Sequence, residues 1–139
     1  MADEARNVEI LKSVYTKWKD SKGAAVDAWM DICADNIAFG SQAAGNAPGA
    51  QYLAAYKSRN DLKEYFAGLG RDWEMVAWDT QHFIAQGDRV VVLVHCTWRF
   101  KKTGKMVATP KADSFRMVNG KVVEFYEYYD TAQVHAAVM

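Results

Sequence analysis

Residues Lys111–Asp130 read KADSFRMVNGKVVEFYEYYD, and the way this stretch turns back on itself decides the architecture. Asn119-Gly120 tolerates positive φ at both central positions of a type I′ turn, the favoured two-residue hairpin connection, so two strands are expected to meet there. On the first strand Asp113, Phe115 and Met117 share one face by the two-residue side-chain period. A carboxylate in line with two large apolar groups loses hydration, which favours its neutral form and raises its pKa. The plainer alternative has Asp113 opening the strand at a wet edge.

Moving outward, the period stays at two back to Trp73. Strands are expected over 73–86, 89–101, 106–118 and 121–129, punctuated by Gln86-Gly87-Asp88, Thr103-Gly104 and Asn119-Gly120. Short turns between consecutive strands mean an antiparallel meander. Pro110 lacks a ladder donor and is expected at a bulge or bend.

Upstream of Trp73 the spacing is helical. Val8, Leu11, Val14, Tyr15 and Trp18 form an i, i+3, i+4 stripe over about 4–20, closed by Gly23 at C′. A second helix over about 24–34 carries Val26, Trp29, Met30 and Cys33, and Ile37-Ala38-Phe39 reads as a short strand. Residues 40–50, GSQAAGNAPGA, read as a loop, either a lid over a pocket or a plain connection. More helix follows over about 51–67, restarting near Arg59-Asn60-Asp61 with Asn60 or Asp61 as N-cap. Residues 131–138 end the chain as a short helix or tail.

Helices first and antiparallel strands after them give an α+β fold in one domain over 1–139. About three N-terminal helices pack on the concave face of a cone-like curved sheet and enclose a pocket. Thirteen per cent aromatic residues demand a large interior, a cavity lining or an interface.

Lys plus Arg and Asp plus Glu both number 17, so no net charge draws the chain to nucleic acid or an anionic membrane. No apolar run approaches the roughly 20 residues of a membrane helix, and the charged N-terminus lacks the apolar core of a signal peptide. Cys33 and Cys96 lie far apart in apolar contexts and read as buried free thiols, which suits a reducing cytoplasm. His82, His95 and His135 are scattered, without metal-ligand spacing. With no Gly-rich phosphate loop or Gly-x-Ser-x-Gly elbow either, neither metal nor cofactor is expected.

Three motifs in this order, Tyr15-Thr-Lys-Trp18, Met30-Asp-Ile-Cys-Ala-Asp35-Asn-Ile-Ala-Phe39 and the Asp113–Asp130 hairpin, resemble the SnoaL-like, ketosteroid-isomerase-like branch of the NTF2-like superfamily. The resemblance spans almost the whole chain. That superfamily includes isomerases, cyclases, dehydratases, epoxide hydrolases and non-catalytic binding proteins, so the fold does not settle the function. In ketosteroid isomerase a protonated Asp and a Tyr form an oxyanion hole beside an Asp base. Carried over, the protonated Asp falls on Asp113 and the Tyr on Tyr15. The base position falls on Ser41, whose unactivated hydroxyl cannot take a carbon-bound proton at neutral pH. In the cyclase branch a single Asp at a position resembling Asp113 is the acid/base. Members of the family commonly pair through the outer sheet face, so a homodimer is expected.

Strand geometry suggests a second carrier. If the strands over 89–101 and 106–118 pair around a loop centred on Gly104, His95 faces Asp113 at about 5 Å between Cβ atoms, and the two would share a proton. A one-residue slip would part them. The alternative for His95 is a buried neutral imidazole satisfied by a backbone carbonyl. Arg99 is expected to point to solvent. Phe39, Trp78, Trp98, Phe115, Met117 and Tyr126 are the candidate substrate-binding residues, though aromatics at strand spacing also serve as core or dimer contact.

The resulting expectation is a cofactor-independent isomerase, cyclase or dehydratase using Asp113, His95 and Tyr15 on a small apolar oxygenated molecule of polyketide, steroid or terpene type. The alternatives are a non-catalytic ligand-binding or protein-association module, an epoxide hydrolase, which in this superfamily needs an Asp–Arg–Asp relay, and a purely structural dimer.

Overall fold

The computed structural model describes residues 3–41 and 58–139. Helix α1 (Glu4–Asp20) starts where the Asp3 carboxylate accepts the Arg6 backbone N–H at 2.9 Å. It ends where Lys22 and Gly23 take positive φ, with the Gly23 N–H donating to the Trp18 carbonyl. Its buried stripe is Leu11, Val14, Tyr15 and Trp18, as the spacing predicts. Helix α2 (Val26–Ile32) is shorter than expected because Cys33 already belongs to strand β1 (Cys33–Ser41). Helix α3 (Arg59–Asp72) is capped by Ser58, whose hydroxyl accepts the Asp61 N–H at 3.1 Å, and not by Asn60 or Asp61. The rest of the expected small-residue loop, and the expected helix positions Tyr52, Leu53 and Tyr56, lie outside the described residues.

Strands β2 (Trp73–Gln86), β3 (Arg89–Phe100), β4 (Met106–Val118) and β5 (Lys121–Tyr129) follow, and helix α4 (Thr131–Val138) closes the chain. The sheet order is β1-β5-β4-β3-β2, with β1 parallel to β5 and every other pair antiparallel. The N-terminal helices cover the inner face, α1 against β2 and β3 and α3 against β1 and β2, while α4 lies over β4 and β3. Their side chains meet those of the strands in a core rich in aromatic rings: the Trp29 and Phe115 rings stack at 6.0 Å, and Tyr15 packs edge-on to Trp29 at 5.1 Å. Cys33 and Cys96 are both buried and unbridged.

Two register details govern everything at the inner face. Asn119 and Gly120 take φ of 50° and 77°, so the β4–β5 hairpin turns as its dipeptide predicts. Three residues further on, Arg116 pairs with Glu124 while Met117 pairs with Val122, leaving Val123 as a bulge. That extra residue shifts the phase of β5 by one, so Glu127 and not Tyr126 stands opposite Asp113.

The β3–β4 register differs from the expected one. His95 pairs with Pro110, and Asp113 pairs with Val92. Gly104 is not the midpoint of the connection: Arg99 pairs with Met106, and Gly104, at φ 73°, lies in the second half of the turn they close. The shift is an odd number of residues, so it sends His95 to the outer face. Pro110 interrupts nothing in the β3 ladder. It stands one position past the last β5 pair, Lys111 with Tyr129, where β4 has no strand on that side.

Candidate functional site

The inner ends of β4 and β5 carry a cluster of ionisable groups in an otherwise apolar interior. Asp113 and Glu127 are cross-strand partners, only 2% and 3% exposed. Lys111, two residues before Asp113 and therefore on its face, holds its ammonium between them, with Nζ 2.8 Å from Glu127 Oε2 and 3.2 Å from Asp113 Oδ1. From α1 the Tyr15 hydroxyl donates to Asp113 Oδ2, and from α3 the Tyr65 hydroxyl donates to Glu127 Oε1 at 3.0 Å. The result is one continuous polar chain, Tyr15–Asp113–Lys111–Glu127–Tyr65, drawn from two helices and two strands. Asp113 Oδ1 meets the ammonium as an ion pair, outside good hydrogen-bond geometry.

Burial is the largest single influence on Asp113, Lys111 and Tyr15. It pushes the Asp113 carboxyl above its ordinary value. The Lys111 charge opposes that push, while Glu127 adds to it. Burial would also lower Lys111, but the two carboxylates outweigh it and hold the ammonium form more tightly than in water. The Tyr15 phenol is raised by burial and by the neighbouring Asp113 charge, so its proton stays in place. Burial likewise pushes the Cys96 thiol up to about 11 and the Cys33 thiol to about 12, leaving both protonated and unreactive.

Two cavities flank the cluster. The larger, about 80 Å³, has Glu127, Lys111, Tyr129 and Thr109 among its polar lining and the indoles of Trp18, Trp73, Trp78 and Trp98 on its walls; Cys96 and Val134 also face it. The smaller, about 40 Å³, is bordered by Asp113, with Trp29, Phe39 and Phe115 around it. Trp18, Tyr65, Trp78 and Lys111 line both, and the Lys111 ammonium lies 5.3 Å from the centroid of the Trp78 ring. Among the described residues no three of His, Cys, Asp and Glu are grouped to hold a metal ion.

Of the residues singled out from sequence, the fold brings Asp113, Tyr15, Phe115, Phe39, Trp78 and Trp98 to this region. Tyr15, however, lines neither cavity: its hydroxyl is directed to Asp113. Met117 is buried core away from both cavities. His95 does not reach Asp113; it is exposed on the outer face, opposite Asp79 of β2. Tyr126 is 38% exposed on that same face, packed against Tyr128 at 4.8 Å, because the Val123 bulge turns it out. Ser41 is buried and shares a 2.7 Å hydrogen bond with the Tyr129 hydroxyl. Arg99 pairs with Glu74 at the surface, as expected for a solvent-directed side chain.

Sequence reasoning missed Lys111, Glu127 and Tyr65. The signal for Lys111 was available, since the period that aligned Asp113 with Phe115 also aligns it with Lys111. Glu127 was hidden by the bulge, which a simple two-residue hairpin register does not contain. Tyr65 sits on a helix whose rotation only packing fixes.

A family model for the SnoaL-like domain matches residues 20–125. No curated protein matches the chain. Among solved structures, an NTF2-like protein from Burkholderia xenovorans is similar over 100% of both chains, with a TM-score of 0.82 and 20% identity. TerC co-crystallised with polyporic acid is similar over 96% of this chain and 98% of its own, with a TM-score of 0.77 and 18% identity. A protein of ketosteroid-isomerase-like fold from Catenulispora acidiphila, in complex with trimethylamine, is similar over 89% and 90%, with a TM-score of 0.71 and 17% identity.

Proposed function

The chain belongs to the family of SnoaL-like domains, and from that premise we propose that it is a cofactor-independent enzyme that moves protons on a small apolar oxygenated molecule, in an isomerisation, cyclisation or dehydration. One observation carries this reading: a carboxyl raised by burial, Asp113, stands beside a second buried carboxylate, Glu127, the first bordering the smaller aromatic cavity and the second the larger. In the proposed reaction Asp113 is the acid. It delivers a proton to substrate oxygen, and Tyr15 fixes its orientation. Glu127 replaces the base missing at Ser41 and takes a proton from the substrate; its oxygens already accept from Tyr65 and Lys111, which orients them. Trp78, Trp98, Phe39 and Phe115 supply the apolar walls. Relatives of the same fold hold small molecules, polyporic acid and trimethylamine, which agrees with a binding cavity here.

The carboxyl–ammonium–carboxyl order of Asp113, Lys111 and Glu127 favours one second reading, epoxide opening, with Lys111 where the superfamily's relay has Arg. Glu127 would take a proton from the attacking water and Asp113 would protonate the ring oxygen. We also infer one domain over 1–139, a homodimer paired through the outer sheet face, and a cytoplasmic location suited to two reduced thiols. No described helix is long and apolar enough to cross a membrane.

The test is a panel of small enones, β-hydroxyketones and epoxides assayed with wild type, Asp113→Asn and Glu127→Gln. Turnover that falls by about 10²-fold or more in each variant is expected for acid/base groups. No turnover of any member, with ligands bound equally by all three proteins, would make the chain a binding module.

A further inference from the structure

In ketosteroid isomerase the oxyanion is met by a Tyr–Asp pair, but here Tyr15 lines neither cavity and directs its hydroxyl to Asp113. Lys111 borders both cavities, with 13% of its side chain exposed. Its ammonium has three donors. Glu127 takes one at 2.8 Å, Asp113 is met only at 3.2 Å and off-line, and among the described residues no further hydrogen bond uses the remainder. We infer that Lys111 is the oxyanion-binding group of this site, and that the larger cavity selects molecules presenting an enolate- or phenolate-like oxygen to its ammonium.

Three further observations support this assignment, which rests on the acid/base reading of the same site. The ammonium is held against deprotonation by its two carboxyl neighbours, so it acts as a fixed charge and not as a proton donor. Its position is fixed from two strands, with Nζ 2.8 Å from Glu127 Oε2 on β5 and 3.2 Å from Asp113 Oδ1 on β4. The Trp78 face and the other indoles exclude water, which strengthens a contact between ammonium and oxyanion. The groups that face the ammonium and would respond to such a ligand are Asp113 on its own strand, Glu127 on β5, Cys96 on β3 and Tyr65 on α3. In this arrangement Tyr15 is a positioning residue for Asp113.

The experiment uses 4-nitrophenol, whose absorbance distinguishes phenol from phenolate, with 4-nitroanisole as its uncharged counterpart. Wild type is expected to bind the phenolate and lower the bound phenol's own pKa by at least about one unit, a tenfold preference. Lys111→Met should abolish that shift, Lys111→Arg should keep it, and Tyr15→Phe should leave phenolate binding within about threefold while changing how it depends on pH. Should Lys111→Met fail to fold, the wild-type comparison of the two ligands decides alone. Equal affinity for 4-nitrophenol and 4-nitroanisole overturns the role of Lys111 and leaves an apolar ligand site standing. Binding of neither overturns both.

Discussion

At the scale of single residues, Asp113 is where burial and charge compete most directly. Folding removes its hydration and supplies one ammonium and one phenol, and burial wins, so its carboxyl is raised. A carboxyl raised by folding favours its neutral form. Its contribution to stability is present below the unfolded value, near 3.9, and is lost as pH rises through the folded value. Lys111 is raised too, so its contribution is lost only at strongly alkaline pH and adds no slope near neutrality. Asp113→Asn keeps an acceptor for Tyr15 and removes the ionisation. We expect it to flatten the fall in melting temperature as pH rises above about 4. Thermal melts of the two proteins across that range check this, and an unchanged slope in Asp113→Asn would mean that another group sets it.

At the scale of elements, the β4–β5 hairpin joins local chemistry to the site. Gly120 sits at φ 77° in the turn, and an added Cβ would also come within 3.0 Å of the Arg6 guanidinium. The guanidinium end can move aside; the backbone angle cannot. Gly120→Ala is therefore expected to cost about 1 kcal/mol, read from the denaturant midpoint at constant slope. A loss within a few tenths would mean the turn tolerates an L-residue there. The same hairpin shows what could be read locally. Its turn, its strand limits and the face that Asp113, Phe115 and Met117 share all followed from the dipeptide and the two-residue period. The bulge at Val123 did not, because a single extra residue leaves the composition and apparent alternation of VVEFYEYY almost untouched.

At the scale of the whole molecule, the sheet buries one face beneath its helices and leaves the other bearing Tyr126 and Tyr128, 38% and 47% exposed, with His95 on the same face two strands away. Gly40 pairs with Tyr126 and leaves room for its ring, since a Cβ there would sit 2.8 Å from a ring carbon. Aromatic groups displayed this way are what a second copy would cover. Light scattering is expected to give twice the 15.6 kDa chain mass for wild type and the single-chain mass for Tyr126→Glu/Tyr128→Glu. A monomeric wild type would end the dimer reading without touching the cavity.

Sequence by itself determined the order and type of the elements, the α+β class, the type I′ turn, the two unbridged thiols and the face that Asp113 shares with Phe115 and Met117. Each of these depends on near neighbours along the chain, on helical or strand period and on turn chemistry. Only the tertiary structure decided what faces Asp113. The β3–β4 turn moved His95 out, the Val123 bulge brought Glu127 in and turned Tyr126 out, and the packing of α1 and α3 brought in Tyr15 and Tyr65. The physical reason is the period of two. A slip of one residue exchanges the faces of a strand at little local cost, so the choice falls to the burial of the whole sheet against its helices.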